Sequence, residues 1–489
     1  MGKFNAKVPS RSRTRNEAGG HAYKHDPKTQ VATMLLSNMV KDSFYSTADK
    51  DLSELIEAMN KVDPKFCAKA ILFARDEFRM RSVSHAAAAE LSSRASGTTW
   101  AKHFYERLVM RPDDVTETIA YYHANIKKCE PNAMRKGFGA ALAKMDEYQL
   151  AKYKGSGNFV SMVDAVNMFH PAPNDRLKAL VKGTIKPPGT WEVGLSAAGR
   201  DSKKKESAWS DLLSEGKLGY MALLKNLRNI LEQAPKMVTE ACRQLTDEKA
   251  IKKSMVLPFR YMVAFDAVKQ VQHAHAGKVM RSLSEAMDIA VCNVPKLSGE
   301  TLVVVDDSGS MQHAEVRPSG PGQVKAGTSV MEMAALFAAA FMKRNPDAHY
   351  MQFSSDARYV NLNTMDSTLS IQKEIMRNTV PRQTNFHSIF DTANSAYDRV
   401  IILSDMNGWS DHRGGFADST AMRSYNRYCD NYECKPRIFS MDLRGNSTTQ
   451  FPEQHIACLA GFSEKVFDVM AMLDEDPKAL VNRIEQIEL

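Results

Sequence analysis

The sequence predicts an array of α-helices followed by a doubly wound α/β domain. From about residue 31 to 291, amphipathic stretches alternate with short breaks rich in Pro, Gly, Asp or Ser, and no strand-like alternation interrupts them. Beyond Lys296, strand and helix patterns alternate instead. The 489 residues are too many for a single hydrophobic core. We therefore predict a flexible basic arm over residues 1–21, a helical domain over 22–297 and an α/β domain over 298–489.

Three segments lack a core-forming pattern and are expected to be mobile or to lie on the surface. In the arm, Arg11, Arg13 and Arg15 alternate with small polar residues, which favours disorder in the free protein. Two interpretations of the arm remain: it binds phosphate groups, or it is an ordinary disordered terminus. The breaks at residues 183–189 and 199–206, the second of which is rich in lysine, are interpreted as surface loops.

The predicted helices each carry one apolar stripe. In the helix around residue 225, Leu223, Leu227 and Ile230 share a face, whereas Lys225 and Arg228 fall opposite. A helical pair of this size cannot bury its apolar face alone, so about seven pairs should stack as a solenoid, with a plain helical bundle as the alternative. Similar patterns occur at residues 31–40, 52–59, 66–78, 86–91, 115–126, 140–150, 162–169 and 255–271.

The C-terminal part has the alternation of an α/β domain. Thr301 to Val305 is an apolar, largely β-branched run suited to a strand buried on both faces. Such an order indicates a mainly parallel sheet, in which ligands bind at the carboxyl ends of the strands. Further strand and helix patterns follow at residues 331–342, 348–353, 369–376, 386–396, 400–403, 422–429, 437–441 and 477–487.

The net charge of +8 conceals a polarised molecule. Through Glu300 there are 47 Lys and Arg against 33 Asp and Glu, a balance of +14, whereas the remainder has 18 against 24, a balance of −6. A basic helical half favours a polyanionic partner, through neutralisation of phosphates and release of counterions. A solvated helical surface with no such partner is the alternative.

The spacing of the cysteines and the lengths of the apolar segments indicate in which compartment the protein resides and whether it binds zinc. Seven cysteines are scattered without CxxC spacing, which favours a reducing compartment. Cys429 and Cys434 are the nearest pair, but no second pair completes a zinc site, so we predict none. No apolar run follows the N-terminal lysines, and none approaches the roughly 18 residues needed to span a bilayer. We expect a soluble, cytoplasmic protein with no membrane partner.

A divalent-metal loop follows the first strand of the α/β domain. Asp306, Ser308 and Ser310 alternate there, and Gly309 lets the loop bend. Mg²⁺ prefers oxygen ligands, so a carboxylate and two hydroxyls suit it. Asp405 follows another strand and should lie at the same edge of the sheet. The alternative is that the loop merely caps the next segment.

These residues resemble the metal-ion-dependent adhesion site of von Willebrand factor A domains. That site adds a threonine from a second loop, matched here by Thr384 in the segment 382–387, and an aspartate after a later strand, matched by Asp405. The resemblance implies that a bound cation, most simply Mg²⁺, receives an acidic side chain from a partner. Asp307 fills a position that is commonly apolar in such domains, and its charge either tunes the site or faces solvent.

Three sequence segments of the helical half resemble the bacterial branch of the Ro autoantigen family, whose defining module is called TROVE. They are residues 19–23, 218–230 and 256–261. The resemblance implies HEAT-like repeats closed into a ring, which the A domain helps to seal. It further implies a non-catalytic, monomeric protein of RNA quality control that binds Y RNAs on an outer basic face and threads the single-stranded ends of misfolded RNAs into the hole. An exoribonuclease or another protein could join through the A domain.

The family's Y RNA surface combines a basic segment with a histidine downstream. The matching stretch transfers Lys152 and Lys154 to the basic segment and His170 to the histidine. It departs from the family at Ser156 or a neighbour, where a basic residue is expected. Two further cations upstream match the family's Arg-Lys phrase, namely Arg135 and Lys136.

Two other classes of function compete with RNA binding. One is a protein-adhesion scaffold whose A domain binds an acidic partner and whose basic helical half serves only assembly. The other is a metal-dependent nuclease, but no nucleophile with a general base nearby is apparent in the sequence. The excess of basic residues in the helical half favours RNA.

Overall fold

The structure is a computed structural model. It describes residues 13–15, 21–23, 27–37, 48–155, 158–186, 193, 195, 198–199, 201–313, 329–405, 420–442, 456–460, 466–475 and 478–489. Most of the predicted arm, including Arg11, lies outside these residues, as do Ser156 and residues 187–189. Where the sequence predicted a flexible arm, a strand β1 (Arg13–Arg15) pairs antiparallel with β2 (His21–Tyr23).

The described residues between 27 and 290 form helices joined by short connections, as predicted. Buried apolar stripes hold these helices together. In the helix around residue 225, Leu223, Leu227 and Ile230 are buried, whereas Lys225 and Arg228 are exposed. The helices are α1 (Pro27–Ser37), α2 (Ala48–Asn60), α3 (Pro64–Asp76), α4 (Ser82–Ala95), α5 (Ala101–Leu108), α6 (Pro112–Asn125), α7 (Asn132–Lys144), α8 (Glu147–Lys152), α9 (Met162–Phe169), α10 (Asp175–Val181), α11 (Ser202–Ser214), α12 (Tyr220–Gln233), α13 (Val238–Leu245), α14 (Glu248–Ser254), α15 (Pro258–Lys269) and α16 (Ala276–Ala290).

Capping side chains decide where several helices begin. The Asp201 carboxylate accepts hydrogen bonds from the backbone N–H groups of Lys203 and Lys204, at 2.9 and 3.2 Å, and so starts α11. The prediction of a loop over residues 199–206 is therefore wrong from residue 202 onward. Asp146 likewise accepts from Gln149 N at 2.7 Å, so the single helix predicted over residues 140–150 is divided into α7 and α8.

The second part is a six-stranded sheet covered by helices on both faces, as predicted. The strand order is β5-β4-β3-β6-β7-β8, and all neighbours are parallel except β4 and β5. The elements are β3 (Thr301–Asp306), α17 (Gly309–His313), α18 (Val330–Arg344), β4 (His349–Phe353), β5 (Ala357–Tyr359), α19 (Thr368–Arg377), α20 (His387–Thr392), β6 (Arg399–Ser404), α21 (Thr420–Tyr432), β7 (Arg437–Asp442), β8 (Ile456–Ala460), α22 (Val466–Glu475) and α23 (Ala479–Glu485).

The two faces of β3 belong to different cores. Leu302 and Val304 pack with α20 and α21, whereas Val303 and Val305 join a continuous core that extends through α18 and α19 into the helical half. Polar contacts add to this junction, since the Asp288 carboxylate accepts from both the backbone N–H and the hydroxyl of Thr368 at 2.7 Å. The helical half and the sheet are thus packed against each other.

The last helix reaches the first ones. α23 packs on α1 and α3, and Lys28 Nζ lies 2.5 Å from Glu485 Oε1. Lys69 Nζ donates to Glu485 O at 2.5 Å and Arg107 to Glu488 O at 2.8 Å. Among the described residues, no helix is both long and apolar enough to cross a bilayer.

Candidate metal centre and nucleic-acid surface

The predicted metal loop lies at the carboxyl end of β3. Asp306 is fully buried, and its Oδ1 accepts a hydrogen bond from Ser308 N at 2.9 Å, which turns the chain into α17. The hydroxyls of Ser308 and Ser310 lie 3.1 Å apart. The alternation predicted from the sequence thus brings two hydroxyls together above one buried carboxylate.

Asp405 lies beside this loop because β6 is the parallel neighbour of β3. Ser404 at the end of β6 donates its hydroxyl to Asp306 Oδ2 at 2.5 Å, and the next residue, Asp405, is fully buried. Burial raises the pKa of Asp306, and the negative charge of Asp405 raises it further. Two buried carboxylates that repel each other favour a cation or a proton between them.

Thr384 reaches the same edge on a separate segment. This segment is tied to the serine loop by Gly309 N, which donates to Arg382 O at 3.0 Å, and to the end of β4 by Asn385 N, which donates to Ser354 O at 2.9 Å. Thr384 lies between these two anchors and is buried. The structure therefore brings the segments of all five predicted metal ligands to one edge of the sheet.

Asp307 does not face solvent, contrary to one of the two sequence interpretations. It is fully buried, and its Oδ2 accepts hydrogen bonds from the Arg358 guanidinium and from Val380 N, the second at 2.7 Å. Arg358 also donates to Asn378 O at 2.5 Å. Asp307 and Arg358 thus brace the segment that continues to Thr384. Sequence reasoning missed Arg358, because no motif joins it to the loop.

The donor set suits a hard cation. Within the described residues, no group of three or more His, Cys, Asp and Glu side chains is placed to hold a metal. A metal at this edge would instead be held by two carboxylates, Asp306 and Asp405, together with hydroxyls, which is the oxygen-only chemistry that Mg²⁺ prefers.

The predicted RNA-binding residues lie at the two ends of α9. At its C-terminal end, His170 is exposed and takes a left-handed conformation with φ 46°. The exposed Arg135 on α7 donates to Met168 O at 3.1 Å, and Lys136 beside it is exposed too. A Cβ at Gly139 would lie 2.9 Å from Phe169 O, so α7 and this end of α9 are in close contact.

Lys154 lies at the N-terminal end of α9, and Lys152, two positions earlier, is the last residue of α8. Met162 N donates to Lys154 O at 3.1 Å. Eight residues at a rise of about 1.5 Å put the two ends of the helix roughly 12 Å apart. Within the described part of the chain, no carboxylate lies within ion-pair distance of Lys136, Lys152 or Lys154. Their charges are therefore available to an anionic ligand.

Aromatic residues around these lysines were missed by sequence reasoning. Lys152 Nζ lies 5.6 and 5.8 Å from the ring centroids of Tyr148 and Tyr153, and the Arg111 guanidinium lies 4.4 Å from the second ring. Phe159 is 77% exposed. Arg111 precedes α6 and gives no sequence signal for this contact, whereas a lone phenylalanine among Gly, Ser and Asn residues could have been noticed.

The fold and a family model place the chain among known proteins. The crystal structure of the Deinococcus radiodurans Ro (RSR) protein matches with a TM-score of 0.63 at 16% sequence identity, over 94% of this chain and 99% of that one. The family model described as TROVE domain matches residues 164–339. The chain carries a TROVE domain. Its fold is that of the Ro protein, and the matched region begins inside α9 and ends inside α18, so it crosses the domain boundary predicted near residue 297.

Curated relatives of this chain include much longer proteins. Telomerase protein component 1 of Rattus norvegicus is 22% identical in a match that covers 50% of this chain, and that of Mus musculus is 21% identical in a match that covers 53% of it. The chain spans only 13% and 14% of the length of these two relatives.

Proposed function

We propose that this chain is a non-catalytic RNA-binding protein that holds Y-like noncoding RNA and the single-stranded ends of misfolded RNAs, as part of a cytoplasmic ribonucleoprotein for RNA quality control. The TROVE domain and the Ro-like fold support RNA binding. The observation that carries the proposal is a pair of basic clusters near the two ends of α9. They are formed by the exposed Arg135, Lys136, Lys152 and His170 and the partly exposed Lys154.

We propose in addition that HEAT-like helical repeats close into a ring. Its support is the contact between α23 and the first helices, made by Glu485 with Lys28 and Lys69. A basic outer face would hold helical RNA through phosphate and 2′-hydroxyl contacts, whereas a hole one strand wide would admit only unpaired ends. Shape, rather than base sequence, would then select the RNA.

The sheet domain is proposed to be a von Willebrand A domain with a Mg²⁺ site. Asp306, Ser308, Ser310, Thr384 and Asp405 would hold the cation. When bound, it would supply an open coordination position for a carboxylate of a partner protein, such as an exoribonuclease. The buried carboxylate pair also favours a second candidate function, a metal-dependent adhesion scaffold for an acidic partner.

Charge reversal on the basic surface tests the RNA proposal. Lys152→Glu combined with Lys154→Glu should weaken binding of a structured RNA in filter-binding titrations and flatten the dependence of log K on log salt, because two phosphate contacts are lost. A matched control with the same change in net charge is Lys373→Glu with Lys435→Glu, two exposed lysines of the sheet domain. The control should bind nearly as the wild type does.

Three outcomes would redirect the proposal. If both double variants bind RNA with wild-type affinity and salt slope, this surface is not the RNA site. If the purified wild-type protein carries no nucleic acid and binds no RNA at low salt, the adhesion scaffold becomes the better account. RNA shortening that requires Mg²⁺ and disappears on Asp306→Ala would instead indicate a nuclease.

A further inference from the structure

We propose that an aromatic patch formed by Tyr148, Lys152, Lys154 and Phe159 stacks unpaired nucleobases of bound RNA. The inference rests on the proposed RNA-binding function and deepens it. It assigns to this surface the recognition of single-stranded nucleotides, in addition to the phosphates of helical RNA.

The exposed rings are the first observation. Phe159 is 77% exposed and Tyr148 is 49% exposed, which is unusual for large apolar side chains. Leaving a phenylalanine ring in water is unfavourable, so its burial against a ligand contributes binding energy. Only seven positions separate Lys152 from Phe159, and the two rings flank the predicted basic segment.

The local backbone holds the patch in place. Met162 N donates to Lys154 O at 3.1 Å and so closes the connection between α8 and α9. Asn158 N donates to Gly155 O at 3.0 Å, and Gly155 has a positive φ of 64°. Phe159 therefore follows a residue that is held by a backbone hydrogen bond, and it lies three positions before the start of α9.

The cations lie where a nucleotide's phosphates would need them. Lys152 Nζ lies 5.6 Å from the centroid of the Tyr148 ring, within the distance of a cation–π contact. A base stacked on an aromatic ring places its own phosphate within reach of a neighbouring lysine. No carboxylate among the described residues lies within ion-pair distance of Lys152 or Lys154. Neither lysine therefore has to break an ion pair before it binds a phosphate.

Unpaired RNA suits this patch better than a duplex does. In a duplex the base faces are covered by neighbouring bases, so an exposed ring has nothing to stack on, whereas loops and free ends offer both base faces and phosphates. An anionic membrane also attracts lysines and phenylalanines, but commonly through a long amphipathic helix. Here the exposed ring lies between two short helices, α8 and α9, in a chain that carries a TROVE domain.

Substitutions at Phe159 separate stacking of bases on the ring from electrostatic attraction of RNA to the lysines. Full-length Phe159→Leu, which keeps an apolar side chain but removes the π face, should bind a fluorescein-labelled oligouridylate roughly tenfold more weakly. For a blunt RNA duplex as long as the oligouridylate, the affinity of this variant should equal that of the wild type. Phe159→Trp should retain oligouridylate binding, with its fluorescence quenched by the RNA. Met365→Ala, at another highly exposed apolar residue, is the control.

Each contrary outcome overturns the inference in a recognisable way. If Phe159→Leu binds oligouridylate normally while the Lys152→Glu, Lys154→Glu variant loses affinity for both RNAs, stacking is wrong but the RNA surface stands. If neither variant changes binding, the surface assignment fails as well. If the wild type sediments with phosphatidylserine vesicles and Phe159→Leu does not, the patch is a membrane contact instead.

Discussion

At the scale of single residues, the metal loop combines two buried carboxylates that repel each other. The pKa of Asp306 is raised by burial and by the charge of Asp405. A bound cation would relieve this repulsion, and a ligand that binds only the folded state raises its stability.

We therefore predict that Mg²⁺ raises the thermal unfolding midpoint of the full-length protein. Asp306→Asn should abolish this rise without lowering the midpoint of the metal-free protein, because neutralising one carboxylate also removes the repulsion. Asp347→Asn, at an exposed position of the same domain, should respond to Mg²⁺ as the wild type does. A wild-type midpoint that ignores Mg²⁺ and Mn²⁺ contradicts the metal site.

The pair formed by Asp307 and Arg358 makes an asymmetric prediction. Asp307 is fully buried, whereas 31% of the Arg358 side chain is exposed. Arg358→Ala leaves a buried carboxylate without its cation, which should cost about 3–5 kcal/mol of unfolding free energy. Asp307→Ala leaves a guanidinium that water can still reach, so the cost should be nearer 1–3 kcal/mol, roughly that of an unsatisfied hydrogen-bonding group. Urea denaturation measures both, and the reverse order would contradict this reading.

The sequence predicted the candidate metal ligands at the strand ends better than it predicted the contacts around them. Asp306, Ser308 and Ser310 follow directly from a local motif, Asp405 from its position after a strand, and Thr384 from the resemblance to von Willebrand factor A domains. The contacts of Asp307 could not be predicted, because Arg358 and Val380 are distant in the chain and a local pattern does not encode them. Phe159 could have been noticed among its Gly, Ser and Asn neighbours, but its exposed fraction could not be predicted.

At the scale of helices, a buried ionic cluster joins α3, α4 and α6. Arg75 Nη2 lies 2.8 Å from Asp114 Oδ2, and His85 Nε2 lies 2.8 Å from Asp114 Oδ1. Burial raises the pKa of Asp114, but the hydrogen bond and charge of His85 and the guanidinium of Arg75 more than offset burial, and the pKa lies well below its ordinary value.

This cluster predicts acid sensitivity. Because the folded pKa is depressed, the carboxylate stabilises the fold above its unfolded value of about 3.9, and the stabilisation is lost as the pH falls below that value. Asp114→Asn should cost about 3–5 kcal/mol at neutral pH and should flatten the loss of stability below about pH 4. Urea titrations across pH measure this, with the exposed Asp175→Asn as control. An Asp114→Asn protein as stable as the wild type at neutral pH would refute the role of the cluster.

Helix boundaries depended on caps that the periodicity does not contain. The stripes around residues 66–78 and 115–126 correctly predicted α3 and α6, because buried faces repeat with the helical period. The start of α11 was missed, since a run of lysines was interpreted as a loop although Asp201 caps it.

At the scale of the whole molecule, the meeting of the chain's ends should depend on apolar packing more than on ion pairs. Leu480 and Ile484 of α23 are each 1% exposed. Ile484→Ala should cost about 2–5 kcal/mol, whereas Glu485→Gln, which removes a half-exposed ion pair with Lys28, should cost about 0–1 kcal/mol. Denaturant unfolding distinguishes the two. Equal costs would show that the ionic contacts dominate this junction.

The mainly parallel sheet followed from the alternation of strand and helix patterns, but the contact of α23 with α1 and α3 did not. Such contacts join residues more than 400 positions apart, for example Lys69 and Glu485, and no periodicity reports them. The family resemblance alone implied that the two ends come together.

Ultraviolet crosslinking of the full-length protein to RNA in living cells tests RNA binding most directly, if the RNA is sequenced and the crosslinked peptides are mapped by mass spectrometry. We predict structured noncoding RNAs and RNAs with unpaired ends, crosslinked to peptides from residues 135–170. Recovery of no RNA above background, or crosslinks confined to the sheet domain, would contradict the account.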